Sequence, residues 1–258
     1  MENCIVSNWA YGFDLKYSFS NTLAGNTASG NIFDGFLLDQ SVGNTLTVNT
    51  ATNTANFDGF LFVNSSNNSL TNNTANGNGE DGFNFYYSSF NTLKYNNAYD
   101  NVRDGFDFQW SNYTNVVSNT AFSNSAVGFD VVSSSRNTFT SNAAGDGGGF
   151  HLYASPTNTL VGNTANSNDG WGFDFEASSN NNTVTGNNAT FNKSQGFEID
   201  SSSWNILRFN TADSNGSNGF ILRFLPTTQG NILINNASNS NFVYGFADEY
   251  WFRNCWDG

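Results

Sequence analysis

Apolar residues in this chain come in short alternating runs. Phe36 and Leu38, Phe106 and Phe108, and Phe173 and Phe175 are each separated by a single residue. A period of two marks a β-strand that buries one face. Each run is short and gives way to Asn, Gly or Ser, the residues of turns. Nowhere does the longer period of a helix take over.

The runs recur at a fixed interval. Gly-Phe appears at Gly12, Gly35, Gly59, Gly82, Gly105, Gly128, Gly149, Gly172, Gly196, Gly219 and Gly245, mostly 23 or 24 residues apart. Nine residues after most of these glycines comes Asn-Thr or a close variant, and five further on a second Asn. Two residues later comes Ala, as at Ala28, Ala51, Ala75 and Ala98. Three short strands and three turns per repeat make one coil of a parallel solenoid. The predicted fold is all-β: a single right-handed parallel β-helix of about eleven 23-residue coils, one domain over residues 1–258. At the strand spacing of about 4.8 Å the rod would be roughly 50 Å long.

In such a rod every repeated position becomes a ladder. The Phe of Gly-Phe stacks on its equivalents and fills the core. The second Asn of each coil (Asn26, Asn49, Asn73, Asn96, Asn119, Asn142, Asn163, Asn187 and Asn210) forms an amide ladder along the axis. Asp34, Asp58, Asp81 and Asp104 precede Gly in four consecutive coils, which reads as turn chemistry. Two coils break the pattern. The one from Gly128 to Gly149 is short and ends in Gly-Asp-Gly-Gly-Gly, and Leu225–Gly230 is an insertion expected to form a surface loop. No capping helix is visible at either end, so the rod reads as a fragment or as a unit built to stack.

Composition narrows the partners. Asn, Gly, Ser and Thr dominate, but 26 Phe argue for a packed core rather than disorder. The net charge is −13 with only eight Lys and Arg, which disfavours nucleic acid and anionic membranes. No apolar run is long enough to span a membrane. Cations, sugars and other proteins remain.

The repeat that runs from Asn158-Thr159-Leu160 through Asn163, Ala165 and Asn168 to Gly172-Phe173 resembles that of the NosD-type right-handed parallel β-helix proteins. The resemblance covers nearly the whole chain. It implies the fold and an extracellular or cell-surface setting. Its relatives range over copper-associated periplasmic proteins, polysaccharide lyases and hydrolases, and surface proteins, so it does not select an activity. One His, one Met and two Cys are a poor supply of copper ligands.

The residue after each Phe should point outward. Down the coils these are Asp14, Leu37, Leu61, Asn84, Asp107, Asp130, His151, Asp174, Glu198, Ile221 and Ala247. With the next outward position, Asp174, Glu176, Glu198 and Asp200 make a two-by-two carboxylate patch on adjacent coils. Four such groups repel unless a cation or proton intervenes, and an oxygen-only set suits Ca²⁺. The plainer reading is an acidic, solvated face that keeps the rod soluble. Asp107 with Asp130 is a second pair, and His151 between Asp130 and Asp174 is a candidate base. The tryptophans share no register.

Cys4 and Cys255 both stand where Asn-Thr has Thr, so they are expected in one register at opposite ends of the rod. Too far apart to pair within one molecule, they would meet between molecules stacked head to tail, as unpaired thiols or as a disulfide. The leading reading is a structural extracellular β-solenoid subunit that stacks head to tail with itself into a filament, sheath or surface layer. No cofactor is required, with Ca²⁺ as the one candidate. The alternative is a carbohydrate-binding or polysaccharide-degrading (lyase or hydrolase) surface β-helix that works through its acidic face.

Overall fold

The computed structural model describes residues 1–223 and 228–248 and the backbone of 255–257. It is a right-handed parallel β-helix with no helix among the described residues. Strands of three to six residues stack into three parallel sheets of eleven strands each. We name the sheets by what they bury. The phenylalanine sheet starts with Phe13–Lys16, the leucine sheet with Thr22–Ala24 and the alanine sheet with Ile5–Ser7.

The register within each sheet follows the repeat. Phe83 pairs with Phe60 and Phe106, Leu93 with Leu70 and Val116, and Ala75 with Ala51 and Ala98. From Phe13 to Phe246 the first-position rings stack face to face, with centroids 4.6 Å apart at the closest pair and 5.0 Å at the widest. The coil spacing imposes that stack, and each ring moves a large apolar area out of water. The third edge is narrower. A Cβ on Gly105 would lie 2.7 Å from the Ala121 Cβ and 2.7 Å from the Gly128 carbonyl oxygen. The Gly of Gly-Phe is therefore required by close approach of sheet and corner, with Ala the largest residue that fits opposite.

Polar ladders satisfy the corners. The Asn49 side-chain oxygen accepts the Asn26 backbone N–H at 3.0 Å, while its amide donates to the Leu23 carbonyl at 2.9 Å. The same pattern continues through Asn96, Asn119 and Asn142, all buried. Equivalent ladders run through Asn44, Asn68 and Asn91, and through Ser41, Ser65, Ser88 and Ser111. These bonds satisfy buried backbone groups that a turn would otherwise leave unpaired. The expected Asn ladder is thus present in the fold.

One expectation about the ends is corrected. Cys4 leads an alanine-sheet strand, and its backbone N–H donates to the Asn26 side chain at 3.0 Å. It therefore sits in the asparagine ladder. Cys255 pairs with Ile232 in the leucine sheet. The two cysteines stand on either side of a corner and not in one register, so simple axial stacking would not bring them together. The misreading came from matching Asn3-Cys4 to the wrong Asn of the repeat. Cys4 is a free thiol, and its Sγ contacts the Glu2 carbonyl oxygen at 3.4 Å. Of the expected Leu225–Gly230 loop, residues 225–227 lie outside the described residues.

Candidate functional site

The outward positions of the phenylalanine sheet are not an open face. Asp107, Asp174 and Glu198 are buried, as are Leu37 and Ile221. The corner that leads into each Gly-Phe rises beside the strand and forms a wall. Near one end Tyr11, Phe33 and Phe57 stand on that wall over Leu37 and Leu61. The acidic face expected to be solvated is instead a mostly buried floor at the foot of that wall, an apolar groove over the first coils and ionisable further on.

The floor ladder reads Asn84, Asp107, Asp130, His151, Asp174, Glu198 and Ile221 in direct register. At its centre His151 Nδ1 lies 2.8 Å from Asp130 Oδ1. That contact fixes the orientation of the ring and turns Nε2 to the opposite side. Nε2 faces Glu176 Oε2 at 3.7 Å. Trp171 covers the ring at 5.4 Å between centroids.

The short coil explains that contact. Here the strands Val127–Val132 and Gly148–Tyr153 run six residues instead of four, straight through the corner that other coils turn outward. The wall is lowered, and a Cβ on Gly148 would sit 3.3 Å from the Trp171 ring. Asp146, Gly147, Gly148, Asp169 and Trp171 line the resulting depression.

Charge at this centre is displaced from ordinary values. Burial, then the charges of Glu198 and Glu176, push the Asp174 carboxyl up. Its Oδ1 is buried and has no hydrogen-bond partner among the described residues. Burial alone would lower His151, but its bond to Asp130 and the surrounding carboxylates outweigh that and raise it. His151, Asp174 and Glu176 each offer a ligand atom within 4.8 Å of the others.

The four carboxylates Asp174, Glu176, Glu198 and Asp200 have different partners. Asp174 and Glu176 join His151. Glu198 is taken by Arg223, whose Nη1 lies 2.5 Å from Oε1. Asp200 pairs with Arg223 along the sheet and accepts from Ser201 Oγ at 2.9 Å. An arginine on the next coil thus brings positive charge to Glu198.

A second group lies two strands before His151. One oxygen each from Asp81, Asp104 and Asp107 lies within 4.8 Å of the other two. Burial, then neighbouring aspartates, raise Asp107 to about 8 and Asp104 to about 7. The turn role read for Asp34 to Asp104 is visible here: Asp58, Asp81 and Asp104 each donate their backbone N–H to the aspartate one coil before. Reading the floor from sequence found Asp107 but not its convergence with Asp81 and Asp104, because periodicity does not show that a corner folds over a strand.

Comparison with known proteins agrees with this architecture. The "Right handed beta helix region" family matches residues 1–144, and "Periplasmic copper-binding protein (NosD)" matches residues 108–250. The chain belongs to the right-handed β-helix proteins, of the NosD type. No curated protein sequence matches it. Among solved structures it is similar to the A-module of the Azotobacter vinelandii mannuronan C-5 epimerase AlgE6, at 15% identity and a TM-score of 0.76 over 98% of this chain and 87% of that one. The periplasmic alginate epimerase AlgG matches at 14% identity and a TM-score of 0.68, over 97% and 76%. The Dettilon tailspike protein matches at 13% and 0.71, over 95% and 62%. At these identities the likeness is one of fold.

Copper does not fit the residues present. The sole histidine is held by Asp130 with further carboxylates around it, and no cluster of soft ligands gathers among the described residues.

Proposed function

We propose that this chain acts on a polysaccharide outside the cytoplasm. The groove holds the sugar chain along the rod axis, and His151 and Asp174 transfer protons at its centre. The observation that carries this reading is the His151–Asp130 pair beside a buried Asp174 whose carboxyl is pushed up by its burial. An imidazole held between Asp130 and Glu176 can take up and release a proton, and a buried carboxyl pushed above its usual range can deliver one. Cleavage of a glycosidic bond needs both: a proton removed from water or sugar, and one delivered to the leaving oxygen. Trp171 and the exposed Trp110 and Tyr87, whose rings stack at 5.1 Å, offer faces for sugar rings. Fold neighbours named for polysaccharide substrates, the alginate epimerases among them, support the same choice.

The filament reading has no comparable support, since its cysteines fall in different ladders. The experiment is incubation of the protein with a panel of acidic and neutral polysaccharides, assayed for new reducing ends and unsaturated ends. Cleavage of at least one is expected, with kcat lowered about 100-fold or more in His151→Gln. Binding that is indifferent to His151 and proceeds without turnover would leave a carbohydrate-binding rod. Neither binding nor cleavage across the panel would sink the reading.

A further inference from the structure

We propose that Asp81, Asp104 and Asp107 form a binding site for a hard divalent cation, Ca²⁺, in the wall and floor of the groove. Two of the three belong to the corner ladder, and that role uses only half of each carboxylate. Asp81 Oδ1 accepts the Asp104 N–H at 2.9 Å, and Asp104 Oδ1 accepts the Val127 N–H at 2.7 Å. Their Oδ2 atoms both turn toward Arg103, at 3.5 and 3.6 Å. Those contacts are longer than the roughly 2.7–2.9 Å of a charge-assisted hydrogen bond. A single half-exposed guanidinium thus serves two buried carboxylates loosely.

Asp107 is the independent observation. It is no part of the corner ladder: it stands on the sheet, fully buried. Its Oδ2 accepts from Gln109 at 2.6 Å, but its Oδ1 has no hydrogen-bond partner among the described residues. Asn84, the preceding floor residue, donates its amide to Asp58 and Asp81, and its own buried Oδ1 likewise has no partner there. A buried carboxylate oxygen without a donor is costly in a folded protein. One oxygen of Asp107 converges with one each from Asp81 and Asp104, and the three residues make a ligand set. The donors are all oxygen, the ligand type that a hard cation such as Ca²⁺ takes. The site lies two strands from His151, so it would brace the wall of the groove without touching the proton-transfer pair.

The test is calorimetric titration of the chelator-treated whole chain with Ca²⁺, with thermal melting alongside. Wild type should bind one equivalent and melt higher with Ca²⁺ present. Asp107→Asn, which preserves shape, should weaken binding at least about 10-fold, and Asp174→Asn should not. Arg103→Gln gives a second handle that removes no ligand: without the competing guanidinium, Ca²⁺ should bind several-fold tighter. Absence of Ca²⁺ binding by wild type would overturn the proposal. So would binding that is lost in Asp174→Asn and indifferent to both Asp107→Asn and Arg103→Gln, because the ion would then sit at the His151 centre.

Discussion

Two ladders run along this rod on the same kind of bond, and they behave differently. In the asparagine ladder the Asn142 side-chain oxygen accepts the Asn119 backbone N–H at 2.8 Å. In the aspartate ladder Asp58 Oδ1 accepts the Asp81 backbone N–H at 2.9 Å. The amide then has a donor left over: Asn119 Nδ2 reaches the Leu93 carbonyl and Asn142 Oδ1, both at 3.1 Å. It is neutral and self-complementary, so it repeats from Asn26 to Asn210 with nothing added. A carboxylate has no donor, and its neighbour one coil away repels it by about 3 kcal/mol at an effective dielectric of about 20. That ladder ends at Asp104, with Val127 next in register, and it draws in Arg103 and Asn84. Charge stacked on charge persists here only over a short stretch, and that stretch borders the groove.

The largest effect expected from this contrast is on stability against pH. Asp34, Asp81, Asp104, Asp107 and Asp174 all have carboxyls held above the usual value, mainly by burial. The folded state keeps protons that the unfolded chain releases near pH 4. Their contribution is therefore complete below about pH 4 and is lost as pH rises through about 6 to 8. His151, also raised, acts in the same direction. The metal-free protein should unfold in less urea near pH 8 than near pH 5, by several kcal/mol. A midpoint that rises with pH would show the aspartates to be ionised and paired instead.

A smaller effect comes from moving charge into the neutral ladder. Asn119→Asp keeps the acceptor for the Asn96 N–H but loses the amide that donates to Leu93 and Asn142. It also places a buried carboxylate against carbonyl oxygens. A loss of about 3–5 kcal/mol at neutral pH, read from urea midpoints, is expected, most of it recovered in acid. Equal stability at neutral pH would mean that the ladder tolerates charge and that the contrast is accidental.

Much of this contrast was legible in the residues themselves. Asn at fixed offsets from Gly-Phe marked the ladder, and Phe alternation marked the core, because a strand period and a coil period both leave regular traces. The site left weaker traces. Alternation placed Asp107 and Asp174 on the outer side of their sheet, but whether an outer side is solvated depends on the height of the neighbouring corner. His151 stood in plain view as a histidine between aspartates, a pattern usual on surfaces. What distinguishes it is Trp171 and the shortened coil, and both showed only as departures from the repeat. The cysteines misled because near the chain ends one Asn of the repeat is easily taken for another.

The mildest test removes one charge from the aspartate ladder and nothing else. Asp34 is suited to it. Its Oδ1 accepts the Asp58 N–H at 3.2 Å, and it lies outside both the cation site and the His151 centre. Asp34→Asn keeps that acceptor. Burial raises the Asp34 carboxyl to about 6, so near pH 4 the native side chain is already neutral when folded and the two proteins should unfold alike. Near pH 8 the native chain must either bury a charge or hold a proton against the solvent, and the amide does neither. The variant should then be the more stable by about 1–2 kcal/mol, less than the full linkage value because Asp34 sits at the edge of the ladder. A variant less stable at pH 8 would mean that the carboxylate itself is stabilising there, and the aspartate ladder would have to be regarded as a second structural spine rather than as charge held in place beside a working groove.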